Sequence, residues 1–140
     1  MATTQIQPYL FFNGNCEEAL DFYKSAVGAT VDFVMHYKES PEPMPGQRPD
    51  FDDKVMHVTF RIGESTLMGA DDCMSERKFD GFSLSISAAD EAEANKYFNA
   101  LAAGGRVDMP LMKTFWSPCF GMLTDKFGLG WMVSVAGEKA

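Results

Sequence analysis

Two stretches of this 140-residue chain share one local design, and that repetition restricts the fold more than any single residue does. The first runs Asn15-Cys16-Glu17-Glu18-Ala19-Leu20-Asp21-Phe22-Tyr23 to Gly28, and the second, 75 residues later, runs Asp90-Glu91-Ala92-Glu93-Ala94 through Tyr97-Phe98 to Gly104-Gly105. Each opens on side chains that cap a helix N-terminus and closes on glycine, which readily takes the left-handed turn at a helix end. Ala19, Leu20, Tyr23, Ala26 and Val27 recur at helical spacing in the first copy, and Ala94, Tyr97, Phe98 and Leu101 do so in the second. Two capping boxes are open to the second helix, Ser87 with Asp90 or Asp90 with Glu93. Paired copies of one unit predict a site between them.

Strands flank each helix. Ile6 to Phe12 is apolar and aromatic and ends at the turn Asn13-Gly14-Asn15, while Thr30 to Tyr37 is β-branched and aromatic. Lys38 to Asp53 carries four prolines and no usable period, which predicts a long mobile excursion, equally a lid or partner-binding arm or a plain surface insertion. Val55 to Ile62 alternates, with Met56, Val58, Phe60 and Ile62 on one face and Val55, His57, Thr59 and Arg61 on the other. Gly63-Glu64 reads as a two-residue hairpin loop into Ser65 to Ala70. That loop pairs Ile62 with Ser65, Arg61 with Thr66, Phe60 with Leu67, Thr59 with Met68 and His57 with Ala70, so His57, Thr59, Arg61, Thr66, Met68 and Ala70 share a face. The second half repeats the plan with strands at Phe82 to Ser87, Arg106 to Met112, Phe120 to Thr124 and Trp131 to Val135, the last two joined by the turn Asp125-Lys126-Phe127-Gly128. The expected fold is α+β, with the order βαβββ twice.

A hydrophobic content of 46% and a charged content of 23% suit one folded domain over 1–140, with module one at about 4–72 and module two at about 80–136. A net charge of −8 and the lack of a basic cluster argue against nucleic-acid or membrane-surface partners. No apolar run reaches the length of a membrane span and the first residues lack the pattern of a secretory signal, so a cytoplasmic location is expected. Cys16, Cys73 and Cys119 are odd in number and widely spaced, which reads as reduced thiols rather than a disulfide framework or zinc knuckle.

Pro8-Tyr9-Leu10 with Gly14-Asn15 and Phe22-Tyr23, then His57 through Arg61-Ile62-Gly63, then Thr114-Phe115-Trp116 with Asp125-Lys126-Phe127-Gly128 and Trp131-Met132 carry a further observation: in this order and spacing the chain resembles the vicinal oxygen chelate superfamily of glyoxalases, bleomycin-resistance proteins and extradiol dioxygenases. Within it, the resemblance is to PhnB-like proteins and covers nearly the whole chain. It implies two βαβββ modules forming a cupped mixed sheet, glyoxalase/bleomycin-resistance-like, with helices on the convex side, a small-molecule ligand on the concave side, and a homodimer. In metal-using members the ligands come from the first and last strands of each module, and by motif position those slots fall on Pro8, Met68, Ser83 and Met132. A one-residue slip would replace Ser83 by Phe82; Ser83 is preferred because Leu84 and Ile86 then face the helix. A divalent centre needs about three N, O or S donors, and thioethers suit hard or borderline metals poorly, so no cofactor is expected even though a divalent metal is the superfamily's habit.

With Met68 at a cup slot, its face-mates His57, Thr59 and Arg61 join the candidate ligand-binding residues, together with Ser83 and Met132. Arg suits a carboxylate and His a proton transfer near neutral pH, while a bland structural role for each stands beside these readings. Phe115 and Trp116 read either as an aromatic wall over the cup or as core or interface residues. Asp71-Asp72 beside Cys73 reads as a solvated turn rather than a metal corner, and Cys119 has no visible activating base. The ten Met residues either shape an adaptable pocket or fill core gaps. Three functions follow: a metal-independent small-molecule-binding protein; a glyoxalase-like lyase or other vicinal oxygen chelate enzyme acting through an unforeseen metal or His57; or the 3-demethylubiquinone 3-methyltransferase label the family carries, for which no glycine-rich nucleotide motif is visible.

Overall fold

The computed structural model describes residues 4–42, 49–72 and 75–136. The chain divides into two compact units, Met1–Lys78 and Phe79–Ala140. The first carries β1 (Tyr9–Phe12), α1 (Cys16–Val27), β2 (Thr30–His36), β3 (Val55–Ile62) and β4 (Ser65–Asp71); the second carries β5 (Leu84–Ala88), α2 (Glu91–Ala102), β6 (Arg106–Met112), β7 (Phe120–Thr124) and β8 (Gly130–Val135). Each unit forms its own four-stranded mixed sheet, in the order β1-β4-β3-β2 and β5-β8-β7-β6, with the outer pair parallel and the rest antiparallel. No helix among the described residues is long and apolar enough to cross a membrane.

In the first unit α1 buries Cys16, Ala19, Leu20, Tyr23, Ala26 and Val27, and Gly28 ends it at φ 70°, the left-handed cap expected there. Leu10 and Phe12 of β1, Val58 and Phe60 of β3 and Leu67 of β4 are buried, while Tyr9 and Phe11 alternate with them onto the opposite face. The hairpin register is as expected from Ile62↔Ser65 to Val58↔Gly69, and Gly63 turns it at φ 58°. The ladder stops one pair short of His57↔Ala70. Along β2 the partner moves from His57 at Met35 to Val55 at His36, so Met56 is an extra residue in β3. The bulge shifts the alternation, and Val55 is buried rather than facing the same way as His57.

Two expected features are corrected around Asp71. Asn15 precedes α1 without a side-chain cap. Its place is taken by Asp71, which is no solvated turn but 1% exposed at the end of β4: Oδ1 accepts the N–H of Gly14 (2.8 Å) and Cys16 (3.0 Å), and Oδ2 accepts that of Val55 (3.0 Å). Burying a carboxylate there is sustained by three backbone donors and the positive end of α1. Asp72 pairs with Arg77, and Cys73 lies outside the described residues.

The excursion after β2 is anchored at both ends. Tyr37 and Phe51, in short 3₁₀ turns at Tyr37–Glu39 and Pro49–Phe51, are both buried, meet edge to face at 6.1 Å and pack on Met56. The N–H of Tyr37 donates to Lys54 and that of Lys38 to Asp52, both at 3.0 Å. Residues 43–48, with two of the four prolines, lie outside the described residues.

In the second unit α2 buries Ala94, Phe98 and Leu101, and Asp90 caps it by accepting the Glu93 N–H at 2.8 Å, which selects the Asp90–Glu93 alternative. The first strand runs Leu84–Ala88, later than the expected 82–87, because its parallel ladder begins at Leu84↔Trp131. Asp125 is 2% exposed, and its carboxylate accepts from Phe127 N, Leu129 N and the Trp131 indole at 2.9–3.1 Å, holding the turn before β8.

Candidate functional site

On the first unit's sheet, the face opposite α1 is assembled by cross-strand register. Tyr9 lies beside Met68, Met68 beside Thr59, and Thr59 beside Phe33, giving one row across all four strands. His57 projects from the same side. Its Nδ1 shares a hydrogen bond with the Tyr9 hydroxyl at 3.0 Å and its Nε2 one with the Thr59 hydroxyl at 3.1 Å. The chain works in either direction: if Tyr9 donates to His57, the imidazole donates to Thr59 and the Thr59 proton points outward, and in the reverse sense the Tyr9 proton does. One hydroxyl donor therefore always remains for a ligand.

Aromatic rings surround this chain. Tyr9 meets Phe11 at 5.0 Å and His57 at 5.6 Å, Phe33 meets His57 at 6.2 Å, and the Arg77 guanidinium lies 4.8 Å over the Phe11 ring. Tyr9, Phe11 and Phe33 are 37–49% exposed. Burial raises the Tyr9 phenol pKa, with the nearby Cys16 thiol adding to it, so the group stays protonated and able to donate. Arg61 shares the face with Thr59, but its Nε donates to Asp32 at 2.8 Å. Tyr9, Phe11, Phe33 and Asp32 were not foreseen as site residues. The alternation of Tyr9 and Phe11 with Leu10 and Phe12 carried a signal for the first two; Phe33 depends on a β-bulge that no periodicity announces, and Asp32 on a β2–β3 register that no short turn fixes.

On the second unit's sheet, the face opposite α2 carries the row Ser85, Met132, Met122 and Met109, and a row of Ser87, Ser134, Phe120 and Met112. Leu84 and Ile86 pair with the buried Trp131 and Val133, so Ser83 and Ser85 point to the other side, where Ser83 Oγ lies over Gly130. Phe115 and Trp116 stack edge to face at 4.7 Å, and Trp116 meets Phe120 at 5.3 Å; Phe115 is 96% exposed and Trp116 50%. Neither is a core residue of this unit.

The four presumed metal slots lie two on each unit. Pro8 precedes β1 and its carbonyl accepts the Met68 N–H at 2.9 Å, while the side chain directly beside Met68 belongs to Tyr9; in the second unit the residue beside Met132 is Ser85 rather than Ser83. Neither the phenol and thioether on the first unit nor the hydroxyl and thioether on the second make the donor set of a divalent chelate. Among the described residues no three His, Cys, Asp or Glu side chains converge to hold a metal. A cavity of about 320 Å³ beside the α1 N-terminus is lined by Gly14, Asn15, Glu17, Glu18, Asp53, Lys54 and Asp71. Lys54 Nζ donates to the Gly14 carbonyl there at 2.8 Å, which together with the Asp71 bonds makes it a structural joint.

Comparison with known proteins agrees with this architecture. Residues 4–134 match the family described as 3-demethylubiquinone-9 3-methyltransferase. The chain is 32% identical over 142 residues to the protein YjdN of Escherichia coli (strain K12), spanning 96% of this chain and 97% of YjdN. The structure of PA1353 from Pseudomonas aeruginosa matches with a TM-score of 0.85 at 43% identity, covering 96% of this chain and 98% of that one. The PhnB protein of Bacillus cereus matches at 0.79 and 29% identity, covering 95% and 100%. The fosfomycin resistance protein FosX of Listeria monocytogenes shares the fold alone, at a TM-score of 0.67 and 10% identity over 99% and 98% of the two chains. With the βαβββ order present in both units, the chain belongs to the PhnB-like family described as 3-demethylubiquinone-9 3-methyltransferase, within the vicinal oxygen chelate superfamily.

Proposed function

We propose that this protein binds a small, flat, largely apolar molecule without a resident metal, on the face of the first unit's sheet opposite α1. The observation that carries the reading is the Tyr9–His57–Thr59 hydrogen-bond chain set among the rings of Tyr9, Phe11 and Phe33. Aromatic walls with a few convergent polar groups are the usual make-up of a ligand site. The side chains beside Met68 and Met132 support the metal-free part. Elemental analysis after mild purification should find no stoichiometric metal; one nickel, zinc, iron or manganese per chain would overturn it. A thermal-shift screen of aromatic carbonyl compounds should yield a ligand that, at 100 times its dissociation constant, stabilises the fold by about 2.7 kcal/mol. Tyr9→Phe and His57→Ala should each reduce that shift, and a shift unchanged by both sinks the assignment.

A second reading, an acid–base enzyme, is favoured by the same chain, because both ring nitrogens of His57 have hydroxyl partners through which a proton can pass. Turnover of a confirmed ligand, lost in His57→Ala while binding survives, would establish it. The methyl-transfer activity in the family's description is tested by calorimetric titration with S-adenosylmethionine, for which no binding is expected. In this proposal the protein works as a homodimer in the cytoplasm, where the free thiols of Cys16 and Cys119 remain reduced. The large exposed side chain of Phe115 supports self-association. Light scattering at low micromolar concentration should return twice the chain mass.

A further inference from the structure

Two ion pairs cancel the formal charges on the candidate face. Arg61 Nε donates to Asp32 Oδ2 at 2.8 Å, and Arg77, whose guanidinium covers Phe11, pairs with Asp72. Asp32 reaches Arg61 from a bulge in β2: Val31 lies opposite Phe60 and Phe33 opposite Thr59, which leaves Asp32 as the extra residue. In a regular strand Asp32 would stand opposite Thr59 on the open face, and Phe33 would alternate onto the α1 side. The bulge brings Phe33 onto the open face as well, so that Phe33 stands against His57 and Asp32 against Arg61.

We propose that this face selects ligands whose polar end is a neutral acceptor, a ketone or aldehyde carbonyl on an aromatic ring, over carboxylates of the same shape, and that Asp32 sets the preference. The proposal rests on the small-molecule-binding reading above and names its ligand class. A carboxylate approaching Arg61 meets the Asp32 carboxylate already on the guanidinium, so it gains the field of a dipole instead of that of a cation. It must also shed water without an unpaired positive partner. A neutral carbonyl carries neither penalty: it accepts the one outward hydroxyl proton of the Tyr9–His57–Thr59 chain while its ring packs on Phe11 and Phe33.

The test uses 2-acetylnaphthalene and 2-naphthoate, a neutral ketone and an anion of nearly equal shape, titrated into the full-length isotope-labelled protein and read from the backbone amide resonances of β1, β3 and β4. The ketone should bind wild type about fivefold more tightly than the carboxylate, the upper end for an exposed ion pair. Asp32→Asn, an exposed change whose spectrum also reports that the fold is intact, should tighten 2-naphthoate by about fivefold and leave 2-acetylnaphthalene unchanged. Equal affinities in wild type, or no response of 2-naphthoate to Asp32→Asn, would overturn the role of Asp32 while leaving a binding face. If neither probe moves these resonances, the binding reading falls and the proposal with it.

Discussion

The carboxylate of Asp71 accepts the backbone N–H of Cys16 at 3.0 Å from 55 positions further along the chain, so the last residue of β4 caps the helix that follows β1. The same side chain also holds Gly14 and Val55, and its own carbonyl accepts the Tyr37 hydroxyl at 2.6 Å. Asp71→Ala should therefore lower stability by about 3–5 kcal/mol, since several buried donors lose their acceptor at once. Urea unfolding of both proteins measures it; a loss below about 1 kcal/mol would mean that water replaces the carboxylate.

His36 provides a pH signature. Its Nδ1 lies 2.7 Å from Glu39 and its Nε2 2.5 Å from Glu17, joining the end of β2 to α1. The hydrogen bond to Glu39 is the main cause raising the imidazole pKa above its ordinary 6.5, with burial opposing and Glu17 adding. The Glu39 pKa is lowered below 4.5, first by the backbone N–H of His36 and then by its ring. A raised His contributes stability that is complete below pH 6.5 and disappears as pH rises through the folded value. A lowered Glu contributes stability that is complete above pH 4.5 and disappears as pH falls through its folded value. The stability difference between wild type and His36→Gln should thus peak between these limits and be small, because solvent screens an exposed pair. Thermal melts across pH 3.5–8.5, a span of roughly this coupled titration, should trace that maximum, and a flat difference would refute the clasp.

Much of this fold was legible because local rules and tertiary packing agree. Gly63-Glu64 and the alternation of Phe60 with Arg61 specify the β3–β4 pairing, and the stripe from Ala19 to Val27 is the buried face of α1. The bulges at Asp32 and Met56 were not legible, since an extra residue leaves no mark in a pattern of period two. Capping by Asp71 was hidden for a different reason: its partner lies 55 positions away, and an Asp-Asp pair looks like a solvated turn until the strand is placed. Of the candidate residues, register brings His57, Thr59, Arg61 and Met68 onto one face, while Ser83, Met132, Phe115 and Trp116 belong to the other unit.

The thiols of Cys16 and Cys119 should be slow nucleophiles. Burial is the main cause raising both pKa values, reinforced for Cys16 by Asp71 and then Glu17, and for Cys119 by Glu91. Little thiolate then exists near neutral pH. Iodoacetamide labelling at pH 7.5, mapped by mass spectrometry, should leave both largely unmodified until denaturant is added. Rapid native labelling of Cys119 would reopen a nucleophilic role.

Gly104 and Gly105 look interchangeable at the end of α2, yet the structure requires glycine at each for a different reason. Gly104 has φ 77°, a left-handed backbone, and a Cβ there would meet only the Lys126 side chain at 3.4 Å. Gly105 has no positive φ, but an added Cβ would stand 2.2 Å from the Thr124 carbonyl oxygen and 2.7 Å from the Asp125 carbonyl carbon. A flexible lysine moves aside, whereas the β7 backbone and the turn held by Asp125 do not. Gly104→Ala should then lower stability by about 1 kcal/mol through backbone strain. Gly105→Ala should lower it by about 3 kcal/mol through overpacking against main chain. Denaturant midpoints of the two variants decide the order, and equal losses would show that the β6–β7 edge yields to the added methyl group.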